Sequence, residues 1–347
     1  MTRYRPEDSR RSPRFTGVPT FARLPLVRTL EDVDVAIVGV PFDTAVSFRP
    51  GGRFGPNAVR AASVLIRGYN PHMSVNPFEV LSCVDYGDVA VVPGNTQRSY
   101  RAIERDIAVV VDAGVIPLLI GGDHSCTLPH LRAMRSRSPV AVVDFDAHTD
   151  AWDNYWGEKY THGTWMRRAI EEGLVDVAHS IEVGLRGSVF EADDWTRLTE
   201  ELGLAYISTD EVLRRGPQAT ADAIRARVGA RPAFMTFDID VIDPAFAPGT
   251  GTPEAGGLSS AQGLEILRGL RGIDFAGFDL VEVIPAYDPA QVTANLAAYL
   301  AFQMLSLIAL RRLDRAQPQP GATRRVPEGA RGRLGHARKR HAPLVRS

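Results

Sequence analysis

Cysteine and lysine are the scarcest reactive residues in this chain, with two of each among 347. Cys83 and Cys126 are too few for a disulfide framework and neither sits in a CxxC pair, so a reducing compartment fits and a disulfide-stapled fold is excluded. Cys126 reads as a buried free thiol. Long hydrophobic runs are also missing. The best candidate, Ala294 to Leu310, is interrupted by Asn295, Gln303 and Ser306, which predicts a buried helix rather than a membrane span. The N-terminus is basic but has no apolar stretch behind it, which argues against a secretory signal and for a cytoplasmic protein. Net charge is nearly absent at -1, yet residues 315–347 hold nine of the 40 basic residues and one of the 41 acidic ones. The body is therefore acidic, and the Pro, Gly and Arg-rich tail is expected to be disordered. Neither a nucleic-acid partner nor a membrane is expected.

What the chain does have is alternation. Short β-branched runs, DVAIVGV, VIPLLIGG, VAVVDFD, IEVGLRG, LAYIST, AFMTFDID and FAGFDLVEVIP, alternate with helical patterns such as RSYRAIERDIAVVVDAG, TADAIRARVG and SAQGLEILRGL. Continuous hydrophobicity in the strands means both sheet faces are covered, the mark of a parallel sheet flanked by helices. One α/β domain over residues 13–314 is the simplest organisation, with an N-terminal arm (1–12), expected to be flexible, and the basic tail (315–347) outside it. Ligand sites in such sheets lie beyond the carboxyl ends of the strands. GGDHS, DAHTD, DIDVIDP and EVIPAYDP each follow a strand there.

Within these segments two histidines and four aspartates are the candidate ligands: His124, Asp146, His148, Asp150, Asp238 and Asp240. On extended backbone, residues two apart point to one side, so Asp146, His148 and Asp150 are expected to converge, as are Asp238 and Asp240. Four carboxylates gathered at one edge repel unless cations neutralise them, and two divalent ions cancel their formal charge. With so few ligands some carboxylates must bridge. Oxygen and imidazole donors without thiolate favour Mn²⁺, with Ni²⁺, Co²⁺ and catalytic Zn²⁺ compatible. Each residue alone would more often be a turn former, cap or salt-bridge partner; three such clusters at successive strand ends argue against that.

In GGDHS, DAHTD and FDIDVIDPAFAPGTGTPEAGGLS the chain resembles the ureohydrolases, the arginase and agmatinase family. The stretches GVPFDTAVSFRPGGRFGPNAVR, YTHGTWMRRAIEEGL, VGLRG and EVIPAYDPAQVT are similar to the agmatinase branch. The resemblance implies a single three-layer α/β/α domain with a mostly parallel eight-stranded sheet, assembled as a trimer or hexamer. It implies one Mn²⁺ held by His124, Asp146, Asp150 and Asp238, and a second held by His148, Asp146, Asp238 and Asp240. Glu282 would grip a guanidinium through paired hydrogen bonds, and His162 would exchange protons near the entrance. Thr252 would help line the pocket.

The chemistry expected is attack of a metal-activated hydroxide on a guanidino carbon, giving urea and an amine, with Asp150 moving the proton to the departing nitrogen. Where arginases carry an Asn two residues after the DAHTD motif, this chain has Trp152, which disfavours arginine. An indole suits a methylene chain, and agmatine is the expected substrate, with Asp153 a candidate partner for its ammonium. The alternative is a guanidino acid such as 4-guanidinobutyrate or 3-guanidinopropionate, whose carboxylate would take Arg49 or Asn154. Trp165 and Met166 stand where many agmatinases have a smaller Pro-Phe pair, a departure that leaves the specificity for the substrate's tail open. Two further classes compete: a one-zinc, deacetylase-like amide hydrolase, disfavoured by His124, Asp240 and the lack of a paired HH, and a catalytically silent binding subunit, disfavoured by the intact ligand set.

Overall fold

The computed structural model describes residues 4–316. Eight parallel strands form one sheet: β1 (Val35–Gly39), β2 (Cys83–Asp88), β3 (Ile116–Ile120), β4 (Ala141–Phe145), β5 (Ile181–Leu185), β6 (Ala205–Ser208), β7 (Pro232–Asp238) and β8 (Asp274–Val281). Their order is β2-β1-β3-β8-β7-β4-β5-β6, which puts β8, β7 and β4 in the interior of the sheet. The helices are α1 (Gly55–Ser63), α2 (Pro77–Val80), α3 (Thr96–Asp112), α4 (Thr127–Ala133), α5 (Trp165–Glu171), α6 (Asp194–Glu200), α7 (Thr209–Val228), α8 (Ser260–Gly269) and α9 (Val292–Ala316).

Strand alternation divides the core into two layers. Val35 and Ile37 of β1 join one cluster with apolar residues of α1, α7, α8 and α9. Ala36 and Val38 join the other, with residues of α3, α4, α5 and α6. This is the expected three-layer α/β/α architecture. Helix α8 begins in a capping box, where Ser259 and Gln262 each satisfy the other's backbone N–H. Helix α7 is broken at Gly216, whose φ of 81° precedes Pro217.

Seven of the eight strands were legible as β-branched runs; β2 was not. Its sequence, CVDYGD, is apolar only in its first half, because it is an edge strand whose far end is half-buried. Arg60 pairs with the buried Asp85 at 2.8 Å and with Asp88 at the far end at 2.6 Å. The described part of the N-terminal arm is tied to this edge: the Tyr4 amide donates to Ser82 Oγ at 3.1 Å and its carbonyl accepts from the Cys83 amide at 3.3 Å. Helix α9 is long and apolar enough to cross a membrane, but 83% of its most apolar window is buried within the protein. The tail expected to be disordered, 315–347, begins too early: Arg315 and Ala316 continue α9, where Arg315 pairs with Asp274, and residues 317–347 lie outside the described residues.

Candidate active site

Four loops leave the carboxyl ends of β3, β4, β7 and β8. After β3 the chain turns at Gly122, where a Cβ would lie 1.6 Å from the Phe42 carbonyl oxygen, so only glycine fits. The next residue, Asp123, is buried and accepts from the Ala45 and Ser125 amides at 3.0 and 3.1 Å, pinning this loop to the one after β1. The short turn His124–Cys126 then presents the His124 ring inward.

His124 Nδ1 lies 2.9 Å from Asp146 Oδ2, 3.1 Å from Asp150 Oδ2 and 3.3 Å from Asp238 Oδ2. Beside this group, His148 Nδ1 is 3.1 Å from Asp240 Oδ2 and 3.4 Å from Asp146 Oδ1. Asp146 thus offers one oxygen to each group. The structure brings all six predicted residues together, though by a different local geometry from the one expected. Asp146, Ala147 and His148 follow the end of β4 in a bend, Asp150 has φ of 45°, and Asp240 sits in a short helical turn. Alternation along a strand does not produce the convergence; bends held by local hydrogen bonds do. The His148 amide donates to Asp146 Oδ1 at 2.7 Å, the Asp240 amide to Asp238 Oδ1 at 2.8 Å, and the Ala147 amide to Asp240 Oδ1 at 3.2 Å.

Electrostatics define what this cluster lacks. His124 and the four aspartates are all buried. Burial would depress the His124 imidazole, but Asp146, Asp150 and Asp238 overcome it and hold its proton affinity well above the ordinary value. Asp238 is pushed well up by burial and by its neighbours Asp240 and Asp146. Left to itself, the cluster can persist only by taking up protons, which is the signature of a site built for cations. His124 Nδ1 and Asp146 Oδ2 are buried without a hydrogen-bond partner and face each other. The donor set of imidazole nitrogen and carboxylate oxygen therefore fits divalent metal. The far nitrogen of His124 meets Thr236 Oγ1 at 2.8 Å, which fixes the ring with Nδ1 toward the cluster.

Glu282 is buried at the end of β8, with φ of 62°. Its Oε1 accepts from the His124 amide at 3.0 Å and lies 3.1 Å from His162 Nδ1, while Oε2 is buried and unpaired. His162 Nε2 accepts from the Ser47 amide at 3.0 Å, so the proton of the neutral ring sits on Nδ1 and points at Glu282. Burial would lower the His162 ring, but Glu282, Asp150 and Asp123 raise it to about 9. Cations bound among the aspartates would oppose that rise and favour the neutral tautomer.

The remaining candidates separate. Thr252 donates to Asp240 Oδ2 at 3.3 Å and so borders the second group. Trp152 is half-buried and packs edge-on against Tyr155 and Phe190, with ring centroids at 5.4 and 5.7 Å. Asp153 is exposed and bonded to Arg168 of α5 at 2.8 Å, and Asn154 bonds to Asp153 and to the Gly157 amide, so both side chains are engaged by neighbours. Trp165 and Met166 are buried in the core, with the Trp165 ring against His124.

Several contributors gave no sequence signal. Burial, and after it the Asp150 carboxylate, push the Tyr155 hydroxyl up to about 12. Arg186 is buried and donates to the carbonyls of Asp240, Val241 and Glu254 at 2.6, 3.1 and 2.8 Å, holding the loop after β7. Glu254 Oε1 stands 3.8 Å from His148 Nε2. Only the RG of VGLRG, at the end of a strand, hinted at Arg186.

A family profile described as Arginase family matches residues 33–306. The chain is 44% identical to a guanidinopropionase of Pseudomonas aeruginosa over 88% of its own length and 96% of that protein. It is 43% identical to a mitochondrial agmatinase of Gallus gallus, over 84% of this chain and 86% of the relative. The solved proclavaminate amidino hydrolase of Streptomyces clavuligerus superposes with a TM-score of 0.82 at 39% identity, covering 86% of this chain and all of the other. With a sheet, a carboxylate cluster and relatives of this kind, the chain belongs to the arginase family of hydrolases that cleave guanidino groups.

Proposed function

We propose that the site hydrolyses the guanidino group of a small linear guanidino compound to urea and an amine. The observation that supports this best is the juxtaposition of six metal-type donors with the buried, unpaired Oε2 of Glu282. His124, Asp146, Asp150 and Asp238 would hold one divalent cation, and His148, Asp146, Asp238 and Asp240 a second, with Mn²⁺ the best match to the donors. When bound, the pair would neutralise the four carboxylates and lower the pKa of water to near neutrality.

The chain's own residues account for the rest. Glu282 Oε2 accepts from the guanidinium and fixes the carbon's orientation, since Oε1 is already held by the His124 amide. Asp150 takes the proton released on attack and delivers it to the departing nitrogen. His162, between Glu282 and Ser47, carries protons outward. The assembly we expect is a homo-oligomer.

For the tail, agmatine is the first reading. Trp152 leaves the α-carboxylate of arginine without an amide donor, and the Trp152, Tyr155 and Phe190 rings offer faces suited to methylenes and a cationic end. Asp153, the expected ammonium partner, is withdrawn from that role by Arg168. A guanidino acid is the second reading, supported by Arg49, which lies over the Phe48 and Tyr287 rings and makes no ion pair among the described residues. Urea release with Mn²⁺ from agmatine, 4-guanidinobutyrate, 3-guanidinopropionate, arginine and guanidine, compared as kcat/KM, tests both levels. No urea from any compound with the metal sites filled would refute the hydrolase; preference for an acid would refute only agmatine.

A further inference from the structure

We infer that Trp165 is a positioning residue for the first metal position, holding Asp150 and His124 in their ligating arrangement through its indole N–H and ring face. This rests on the binuclear metal site proposed above and adds to it a residue outside the donor set.

Trp165 opens α5 and is 1% exposed. Its Nε1–H donates to Asp150 Oδ2 at 3.1 Å, and that same oxygen lies 3.1 Å from His124 Nδ1. Its ring packs on the His124 ring with centroids 4.9 Å apart. One side chain thus touches two members of a single donor group. The neighbouring Met166 amide donates to the Asp150 carbonyl at 3.1 Å, so the first turn of α5 grips Asp150 by backbone and side chain together.

That grip has a local reason. Asp150 has φ of 45°, a conformation that a non-glycine residue holds only when neighbours impose it. A carboxylate can also rotate and exchange its two oxygens. An N–H fixed on Oδ2 assigns that oxygen to the cluster and leaves Oδ1 as the one free to carry a proton. An indole does this without adding charge to a group that already holds three carboxylates beside His124.

The test is Mn²⁺ titration of the metal-free protein, followed by electron paramagnetic resonance, for wild type, Trp165→Phe and Met166→Leu. Trp165→Phe keeps the ring packing and removes the donor. It should weaken one of the two ions by roughly 10–100-fold, the usual effect of losing a partner of a ligand, and convert the spin-coupled pair into an isolated-ion spectrum at limiting metal. Met166→Leu, a packing change in the same turn that leaves the backbone bond intact, should titrate like wild type. If Trp165→Phe also binds both ions like wild type, or if Met166→Leu loses affinity equally, the positioning role is overturned. If wild type itself takes up no Mn²⁺, it is the metal reading that fails. A second measurement needs no variant: of the four indole N–H groups, one should resist exchange with D₂O in the metal-free protein and broaden first as Mn²⁺ is added. Four equally exchanging indoles would count against the bond.

Discussion

The two edges of the sheet handle charge in opposite ways. At the amino edge, α9 ends in Arg311, Arg312 and Arg315, which pair with Asp34 before β1 and Asp274 at the start of β8 around a hollow of about 250 Å³ floored by Leu81, Ile116 and Phe275. At the carboxyl edge, Asp146, Asp150, Asp238 and Asp240 are more deeply buried, and no arginine among the described residues pairs with any of them. The chain has 38 arginines and two lysines. It therefore had cations to offer and kept them from the place where uncompensated charge costs most. Arg186 comes nearest, and it spends its donors on carbonyls. A carboxylate neutralised by its own chain is architecture; one left for an outside cation is a site.

The strongest way to break this contrast is to remove charge at the carboxyl edge. Asp146→Asn and Asp238→Asn should each reduce urea release to background together with loss of bound metal, measured by metal analysis. Retention of both ions with a normal rate in either variant would refute the bridging roles.

Glu282→Gln should keep both ions and lower kcat/KM by about 3 kcal/mol, roughly two orders of magnitude, as expected for losing the charge of a buried paired group. Equal loss of metal would move Glu282 from substrate to ligand support. A pH series on the metal-free protein sharpens the contrast further. His162 is raised from an unfolded value near 6.5 to about 9. Its stabilising contribution is complete below pH ~6.5 and disappears as pH rises through 9, an effect of at most about 3 kcal/mol. Thermal melts should fall across that window without metal and flatten with Mn²⁺; a flat metal-free profile would contradict the raised value.

At the other edge the expected changes are small. Arg312→Ala, which removes a half-exposed partner of Asp34, should cost about 0–1 kcal/mol of stability and leave turnover unaltered. Asp153→Ala should leave kcat/KM for agmatine within about twofold, because its carboxylate is committed to Arg168 and such exposed pairs contribute little. A large rise in KM would restore Asp153 as the ammonium partner.

The parts of the molecule visible in the sequence share a property: their chemistry is concentrated in contiguous residues. Val142 to Asp150 announces both a buried strand and its polar terminus. The parallel sheet followed from uninterrupted apolar runs, and only β2, half polar at an edge, escaped. What sequence concealed was long-range pairing. Glu254 reaches His148, Arg186 reaches the loop after β7, and Trp165 reaches Asp150 and His124, each across distances that no local pattern encodes. Trp165 shows this well, for sequence marked it only as a departure from a Pro-Phe pair, and folding set it against Asp150 and His124.

Asp150, in the loop that follows β4, and Glu282, directly after β8, both sit at positive φ, 45° and 62°. Glycine is the residue that would relax such backbone most cheaply, and at these two points it would erase the side chain the turn exists to aim. Efforts to harden this protein against heat by easing its tightest turns should therefore start anywhere but here. At these two positions discomfort and indispensability coincide, and a variant selected for resilience there would drift toward a sturdier but inert protein.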